Sequence, residues 1–270
     1  KLVNRFPAVR AAAMIQRETR LVTVFGGGGF IGRYVCEELM TAGVRVRVAC
    51  REPRSAHYIQ PLGQIGQYGL VRAEIARPET VRRAIEGATA DTNLPGPFDH
   101  MQAVPAPGAH NVAQAARDAG VRALVHISAI GADPDSPGHY GPSKAEGEAE
   151  VRKAFPNATV IRPSIVFGPE DDLTNRLAAL AKLPALPVVA PECRFQPVFV
   201  EDLAKAIARA VLDADAHAGK TYEIGGPNVM SMKQLTQAIL AASGQETELV
   251  EVPACVSSLI SLLGFLPFAP

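Results

Sequence analysis

The stretch RLVTVFGGGGFIG, residues 20–32, decides the fold class of this chain. Residues 20–25 are mostly apolar or β-branched and predict a buried strand. Residues 31–42 place apolar side chains at helical spacing and predict a helix. Four consecutive glycines lie between the two segments. A strand, a glycine turn and a helix in that order predict the first unit of a nucleotide-binding α/β fold.

The glycines follow the pattern G-x-x-G-x-x-G at Gly26, Gly29 and Gly32. The first permits a tight turn, the second lets a pyrophosphate approach the backbone, and the third lets the helix pack closely on the strand. The helix N-terminus offers free N–H groups and the positive end of its dipole to the phosphates. We therefore predict a dinucleotide site here, with a glycine-rich loop that binds no ligand as the alternative.

Strand-like and helix-like segments alternate along the rest of the chain, which predicts a mostly parallel sheet covered by helices on both faces. The predicted fold class is α/β, a Rossmann-like doubly wound parallel sheet with a smaller C-terminal lobe. We expect an N-terminal extension at 1–19, an NAD(P)-binding domain at 20–165 and the lobe at 166–270, with 198–224 returning to the first domain. Further strands are predicted at 44–50, 123–128, 159–164 and 221–224, and further helices at 79–85, 109–119, 143–154, 201–212 and 231–242.

One strand of this pattern has an unfavourable composition. The topology requires a fourth strand near 88–94, but the sequence there, ATADTNL, is polar and poor in β-branched residues. Pro95, Pro97, Pro105 and Pro107 crowd the stretch that follows. We therefore expect an irregular loop after a weak strand.

The residue after the second strand distinguishes NADPH from NADH. An acid commonly binds the ribose hydroxyls of NAD at this position, but here the strand 44–50 is followed by Arg51, with Glu52 and Arg54 next. An arginine suits a 2′-phosphate, and Arg33 at the start of the first helix is placed to assist. We expect NADPH, with NADH as the second choice; the alternative for Arg51 is a solvated surface charge.

A serine, a tyrosine and a lysine are the candidate catalytic residues. Tyr140 and Lys144 stand in YGPSK at positions i and i+4, on one face of any helix that covers both. The lysine ammonium is expected to lower the pKa of the phenol and to hold the nicotinamide ribose. Ser128 ends a strand and is expected at the carboxyl end of the sheet. Because Pro142 disfavours a helix before Ser143, we expect the helix to begin there.

Two other polar segments have open interpretations. Arg162, in the predicted strand 159–164, is expected to face either the pocket or a buried ion pair. The acidic run 170–172 is expected to be a solvated loop, with a pocket role as the alternative.

These motifs, together with HISAIGADPDSP at 126–137, RPSIVFGPED at 162–171 and FQPVFVEDLAKAI at 195–207, resemble the extended and atypical branches of the short-chain dehydrogenase/reductase superfamily. Within it the chain is similar to the nucleotide-binding accessory subunit of respiratory complex I and to its bacterial relatives. The resemblance covers about residues 20–268 and rests most strongly on RPSIVFGPED.

The resemblance implies tight NADPH binding by a structural cofactor and assembly with the other subunits of complex I. Relatives outside the complex are often assigned as sugar epimerases or reductases from their fold alone. The alternative function is therefore an active NAD(P)-dependent reductase or nucleotide-sugar epimerase or dehydratase that uses Ser128, Tyr140 and Lys144; a nucleotide-sensing regulator is a third. The predicted cofactor contacts are Gly26, Gly28, Gly29, Phe30, Ile31, Gly32, Arg51, Tyr140, Lys144 and Pro163.

Composition argues against several other classes of function. Lys+Arg and Asp+Glu are equal at 27 each, so a nucleic-acid binder that works through net charge is not expected. The 4 cysteines lack ligand spacing, and we expect no metal site. No apolar run is long enough to cross a bilayer.

The expected location is cytoplasmic and peripheral at the inner membrane, on the matrix side in a eukaryote. The apolar segment 256–265 is expected either to contact the membrane or a partner subunit, or to pack on the lobe. Residues 1–19 are basic and nearly free of acids, which is typical of a weak transit peptide or of an extension upstream of Met14.

Overall fold

The computed structural model of the chain describes residues 20–93, 106–136 and 138–252. The predicted N-terminal extension, the predicted proline-rich loop as far as Pro105 and the apolar C-terminal segment lie outside these ranges, whereas Pro107 belongs to the helix Ala106–Asp118. The chain divides into two compact units. The first unit is Lys1–Arg162 with Glu201–Glu223, and the second is Pro163–Val200 with Ile224–Pro270.

The strands agree with a doubly wound α/β architecture. In chain order they are β1 Leu21–Phe25, β2 Arg45–Cys50, β3 Tyr68–Arg72, β4 Ala90–Asn93, β5 Ala123–Ile127, β6 Thr159–Pro163, β7 Val166–Phe167, β8 Ala185–Val189, β9 Arg194–Phe195, β10 Val198–Phe199, β11 Thr221–Ile224, β12 Met230–Ser231 and β13 Glu248–Val252. The main sheet has the order β3-β2-β1-β4-β5-β6-β11. Its pairings from β3 through to β6 are parallel. Because strand order reverses between β1 and β4, the carboxyl ends of these strands form the crevice in which ligands bind.

The helices connect these strands. They are α1 Phe30–Thr41, α2 Pro78–Ile85, α3 Ala106–Asp118, α4 Tyr140–Ala154, α5 Asp172–Leu180, α6 Val200–Leu212, α7 Ala214–His217 and α8 Met232–Ser243, with a 3₁₀ segment at Pro53–Leu62. Local sequence explains several of their ends. Helix α2 begins at Pro78, which needs no hydrogen bond for its nitrogen. Helix α8 begins with a capping box of Ser231 and Gln234 and ends at Gly244 in the left-handed conformation.

The core of the first unit is apolar on the inner faces of its helices. Phe25 of β1, Val81 of α2, Val112 of α3 and Val151 of α4 belong to one buried cluster. The inner faces of α1 and α6 are buried as well, through Val35, Leu39, Leu203 and Ile207. The predicted α/β fold class is confirmed.

One prediction about local structure is corrected, and the weak strand expected near 88–94 is found. Helix α4 begins at Tyr140 rather than at Ser143, because Pro142 falls in the first turn, where a backbone nitrogen has no intrahelical acceptor to lose. The polar strand β4 forms despite its composition, over Ala90–Asn93, because it is paired on both sides, by β1 and by β5. Pairing on two edges overrides the weak local propensity.

Strand β3 and the 3₁₀ segment, like the short helix α7, have no counterpart among the predictions. Strand β3 contains Gly69 and only three apolar or aromatic residues, so it lacks a clear alternation. The 3₁₀ segment Pro53–Leu62 carries Pro61 in its interior, which is atypical of a regular helix. Both elements lie next to β2, where they shape the surroundings of the glycine turn.

The second unit consists of short strand pairs and two helices. Strand β8 pairs with β13, β7 with β10 and β9 with β12. Leu173 and Leu177 of α5 pack with Leu235 of α8. Within the described ranges, no helix is both long and apolar enough to span a bilayer.

Asp171 of the second unit is an exception to the predicted solvated acidic run, whose other members, Glu170 and Asp172, are exposed. It is 3% exposed and is the N-cap of α5, where its carboxylate accepts hydrogen bonds from the backbone nitrogens of Thr174 at 2.6 Å and Gly168 at 3.1 Å. An N-cap aspartate satisfies amides that the first helical turn leaves free. Asp171 therefore has a structural role, which the sequence did not indicate because Asp171 stands between two other acidic residues.

Candidate functional site

The glycine turn joins β1 to α1 by a path that only small residues permit. Gly26 has a φ of +74°, and its nitrogen donates to Ala49 O in β2 at 3.0 Å. Gly29 N then donates to Gly26 O at 2.9 Å, which closes the turn. A side chain at Gly26 would be strained in this left-handed conformation. The turn is therefore fixed at the carboxyl edge of β1 and β2.

Gly32 brings the helix onto the turn. A Cβ on Gly32 would lie 2.3 Å from Gly26 O and 2.6 Å from Gly27 Cα. A Cβ on Gly28 would lie 3.0 Å from Ala56 Cβ, and one on Gly29 would lie 3.2 Å from Gly26 O. The space beside the turn is too narrow for side chains, which is the packing expected of a phosphate cradle.

The N-terminus of α1 is suited to an anion. Gly29 is the N-cap and offers no side-chain cap, and the first turn, which begins with Phe30 and Ile31, holds no acidic residue. The first amides of a helix have no intrahelical acceptor, so they remain available to a ligand. Gly28, Gly29, Phe30 and Ile31 are half-buried. The turn and the helix start fit the pyrophosphate of a dinucleotide.

Two arginines lie close to the turn. Arg51 is exposed and comes directly after β2, two residues beyond the Ala49 carbonyl that binds Gly26. The guanidinium of Arg33 lies over the ring of Tyr58, 4.5 Å from its centroid. Tyr58 in turn donates its hydroxyl hydrogen to Gly28 O at 3.0 Å. Tyr58 therefore ties the 3₁₀ segment, the turn and Arg33 together.

Tyr58 is a site residue that sequence reasoning missed. It is 40% exposed and stands in a segment without regular periodicity, so no pattern marked it. Its proximity to Gly28 depends on how the 3₁₀ segment folds back over the turn. The sequence offered one signal, which is that Tyr58 is an aromatic residue shortly after Arg51 and Arg54, which follow β2.

The candidate catalytic residues lie at the same edge of the sheet. Ser128 follows β5, is 3% exposed, and its nitrogen donates to Ile161 O in β6 at 2.7 Å. Tyr140 and Lys144 share one face of α4, with the Lys144 ammonium nitrogen 5.5 Å from the centroid of the Tyr140 ring. Lys144 is 8% exposed, which is unusual for a lysine. The structure brings Tyr140 and Lys144 together as predicted.

Burial changes the protonation of both residues. It raises the pKa of Tyr140 to about 12, the opposite of the lowering predicted from the neighbouring ammonium. It lowers the pKa of Lys144 to about 8, although the charge of Glu148 opposes this. Because loss of solvent disfavours every charged form, it outweighs the attraction between a phenolate and an ammonium. At neutral pH Tyr140 is a neutral hydrogen-bond donor and Lys144 is mostly an ammonium.

A buried ion pair lies one helical turn beyond Lys144. Glu148 is 6% exposed, and both of its carboxylate oxygens accept hydrogen bonds at 2.8 Å from the guanidinium of Arg162. Arg162 also contacts Glu223 at 3.3 Å. Of the two orientations expected for Arg162, the structure shows the ion pair. Glu148 was not predicted, because its partner lies on a strand 14 residues away.

Hydrogen bonds outweigh burial at Glu148. Burial alone would raise the pKa of this carboxyl, but Arg162 and the Ser128 hydroxyl hold it below its ordinary value. Among the described residues, the Ser128 hydroxyl has no partner with the geometry of a full hydrogen bond, Glu148 included. It therefore keeps capacity for a ligand oxygen.

The remaining predicted contact, Pro163, is buried at the end of β6 and belongs to the second unit. Its role toward a cofactor stays a prediction. Among residues 20–93, 106–136 and 138–252, no cluster of three or more His, Cys, Asp or Glu side chains has the arrangement of a metal site.

Comparison with known proteins agrees with this geometry. The sequence profile of a family described as NAD(P)H-binding matches residues 26–182, more than half of the chain. NADH dehydrogenase (ubiquinone) 1 alpha subcomplex subunit 9, mitochondrial, of Mus musculus is 34% identical over 261 residues, which covers 93% of this chain and 68% of the mouse protein. The same subunit of Dictyostelium discoideum is 32% identical over 257 residues and covers 92% and 71%. This chain belongs to the NAD(P)H-binding family and to the family of these subunits.

A solved structure shares the three-dimensional fold of this chain. An NADPH-dependent quinone oxidoreductase of Escherichia coli, solved with NADPH, superposes with a TM-score of 0.73 at 20% identity and covers 91% of this chain and 84% of that chain. At that identity the likeness concerns the fold alone. The family profile includes the glycine turn, Ser128, Tyr140 and Lys144. The cofactor of this NAD(P)H-binding protein is therefore a nicotinamide nucleotide.

Proposed function

We propose that this protein is an NADPH-binding accessory or assembly subunit of a respiratory NADH:quinone oxidoreductase and that its cofactor is largely structural. The observation that carries the proposal is the closed glycine turn, Gly26 to Gly32, in a chain of the subunit 9 family. A bound dinucleotide would tie β1, α1 and the 3₁₀ segment together. Ligand that binds only the folded state stabilises that state by mass action.

Arg51 and Arg33 favour NADPH over NADH. Neither β2 nor its end supplies an acid for a free ribose hydroxyl. The nearest acid, Glu52, is the N-cap of the 3₁₀ segment and accepts from Arg54 N at 3.4 Å. Two guanidinium groups at the turn suit a 2′-phosphate, because charge-assisted hydrogen bonds to phosphate are strong.

The residues of the site would bind the nicotinamide half without favouring turnover. Bound NADPH supplies hydride chemistry to any enzyme that uses it. Lys144, as an ammonium, would donate hydrogen bonds to the ribose hydroxyls, and Ser128 would hold a ligand oxygen. Tyr140, with a pKa of about 12, holds its proton too tightly to act as a base near neutral pH. This arrangement supports a structural cofactor.

Nucleotide release tests the proposal. We expect purified protein, on denaturation, to release about one equivalent of NADPH that added carbonyl substrates have not oxidised. Wild-type protein stripped of nucleotide and reloaded is the control for binding competence. An empty site, or one that exchanges and oxidises its cofactor readily, would contradict the structural role.

The second candidate is an NAD(P)-dependent reductase, epimerase or dehydratase. It is favoured by one observation, the joint retention of Ser128, Tyr140 and Lys144 at the carboxyl edge of the sheet. In that case Tyr140 would deliver a proton to a substrate carbonyl, and its pKa would have to fall when substrate and cofactor are bound. Turnover in the wild type that is lost in Tyr140→Phe, with nucleotide binding retained, would establish it.

The partners and location follow from the same relationship. The subunits to which this chain is related are named mitochondrial. We propose that the protein assembles with complex I subunits at the periphery of the inner membrane, on the matrix side in a mitochondrion and the cytoplasmic side in a bacterium. Contact through the apolar segment 256–265 stays a prediction, which co-fractionation of full-length and truncated protein with membranes would test.

A further inference from the structure

A buried group of charges next to Lys144 has no part in the roles described so far. Glu148 and Arg162 form a two-pronged ion pair at 2.8 Å, with their side chains 8% and 26% exposed. Removing charges from water costs free energy that a pair recovers only with good geometry. A buried pair of this kind at the edge of a ligand site points to a function besides stability.

The fold places Glu148 in line with the site. Tyr140, Lys144 and Glu148 are spaced four residues apart on α4, so they lie one above the other on a single face. Arg162 fixes the carboxylate from β6, the strand next to β5. Ser128, directly after β5, lies close enough to Glu148 to lower the pKa of that carboxyl. Glu148 is therefore a negative charge, anchored by Arg162, one helical turn from Lys144.

We propose that Glu148, anchored by Arg162, is a positioning residue that keeps Lys144 charged and oriented toward the ribose of the nicotinamide nucleotide. This inference rests on the proposed cofactor binding and adds a residue to it. Without Glu148 the buried lysine would lose the one anion, among the described residues, that favours its ammonium form.

The surrounding groups support this assignment. The titratable and charged groups around Lys144 come from α4 and from three strands: Tyr140, Glu148 and Arg152 of α4, His126 of β5, Arg162 of β6 and, beyond Arg162, Glu223 of β11. His110 of the nearby helix α3 pairs with Glu150 instead. Burial lowers the pKa of His126 to about 4, so its ring is neutral at pH 7. Arg162 and Arg152 are cations. The charge of Glu148 alone raises the pKa of Lys144.

The variant Glu148→Gln tests the proposal, with Glu223→Gln as the matched control. Both substitutions remove a carboxylate that contacts Arg162, but Glu223 is 57% exposed and lies on the far side of the guanidinium. The pKa of Lys144 is measured by NMR of the labelled lysine side chain in nucleotide-free protein. We expect Glu148→Gln to lower that pKa by about one unit and Glu223→Gln to leave it unchanged.

Cofactor affinity supplies a second measurement. A fall of about one unit from a pKa near 8 reduces the charged fraction of Lys144 about eightfold at pH 8.5 but less than twofold at pH 6.5. We expect the NADPH Kd of Glu148→Gln, relative to wild type, to rise in that proportion. Glu148→Asp should recover part of the loss. Should Glu148→Gln fail to fold, the double variant Glu148→Gln/Arg162→Met removes both members of the ion pair, so that Arg162 is not left buried without its partner.

The outcomes separate this inference from the proposed function. A Lys144 pKa that is unchanged in Glu148→Gln, or a loss of affinity equal at both pH values, would overturn the positioning role even if wild-type protein binds NADPH tightly. Wild-type protein that binds no nicotinamide nucleotide would instead overturn the proposed function, whatever the lysine titration shows.

Discussion

The glycine turn and the Lys144 face of α4 are two halves of one candidate site, but they are built by different means. The turn is made of backbone, and its shape depends on the positive φ of Gly26 and on the missing side chains at Gly28 and Gly32. The α4 face is made of charged side chains whose properties depend on burial and on each other. Substitutions at the turn should therefore change shape and affinity at every pH, whereas those near Lys144 should change pH dependence.

Gly32→Ala should have the largest effect, because its Cβ would lie 2.3 Å from a backbone oxygen that cannot move without opening the turn. Overpacking against backbone costs about 3 kcal/mol. We expect the free energy of unfolding to fall by about that amount and NADPH binding to be lost, as measured by urea unfolding and by cofactor fluorescence. Gly69→Ala is the control, since its Cβ would meet nothing within 4 Å. Equal effects from both variants would refute the close-packing argument.

Arg162→Met should have the next largest effect, through stability. It leaves Glu148 buried without its partner, at a cost of about 3 kcal/mol at pH 7. The pKa of Glu148 is depressed in the fold, so its contribution is present above the unfolded pKa and is lost as pH falls through the folded pKa. The stability difference between wild type and variant should therefore be constant above the ordinary pKa of a glutamate and shrink as the pH falls below it.

The exposed pair of Arg122 and Asp215 provides the control for this measurement. Its side chains are 68% and 88% exposed, with the charged atoms 3.3 Å apart. Exposed pairs contribute little to stability, so Arg122→Met should lower the free energy of unfolding by less than about 1 kcal/mol at any pH. A similar loss in both variants would mean that burial does not distinguish the two pairs.

The sequence alone predicts the glycine turn better than the Lys144 face of α4, because the turn is set by a local pattern and the α4 face by tertiary contacts. G-x-x-G-x-x-G is a local pattern with a local cause, so the turn and its helix could be predicted without tertiary information. Tyr140 and Lys144 were found because helical spacing is also local. The partner of Glu148 could not be found, because Arg162 reaches it from a strand. The direction of the Tyr140 pKa was wrong because burial, which depends on the whole fold, outweighs the neighbouring charge.

Strand β4 and Tyr58 show, away from the ion pair of Glu148 and Arg162, that sequence alone does not reveal tertiary contacts. The polar residues of Ala90–Asn93 form a strand because two neighbours pair with it, which local propensity does not register. Tyr58 contacts Gly28 and Arg33 only because the 3₁₀ segment folds over the turn. In both cases the decisive partner is distant in sequence.

Arg51→Ala tests cofactor choice at the turn. Loss of a charge-assisted contact to a 2′-phosphate should raise the NADPH Kd about tenfold or more and leave the NADH Kd nearly unchanged. Arg45→Ala is a matched control, since Arg45 is exposed at the opposite end of the same strand. If both cofactors weaken equally, Arg51 acts on the pyrophosphate or on the fold rather than on the 2′-phosphate.

Substitutions of Tyr58 should have the smallest effect, and two of them distinguish its contact with Arg33 from its contact with Gly28. Tyr58→Leu removes both the ring beneath Arg33 and the hydroxyl that donates to Gly28 O, whereas Tyr58→Phe removes only the hydroxyl. An exposed cation–π contact contributes about 0.5–1 kcal/mol, so Tyr58→Leu should raise the NADPH Kd about two- to fivefold, as measured by isothermal titration. If the ring orients Arg33 for the 2′-phosphate, Tyr58→Phe keeps most NADPH selectivity. If the hydroxyl matters more, because it fixes the turn, Tyr58→Phe weakens the binding of NADPH and of NADH equally. In that case Tyr58 acts by holding the shape of the turn rather than by orienting the charge of Arg33.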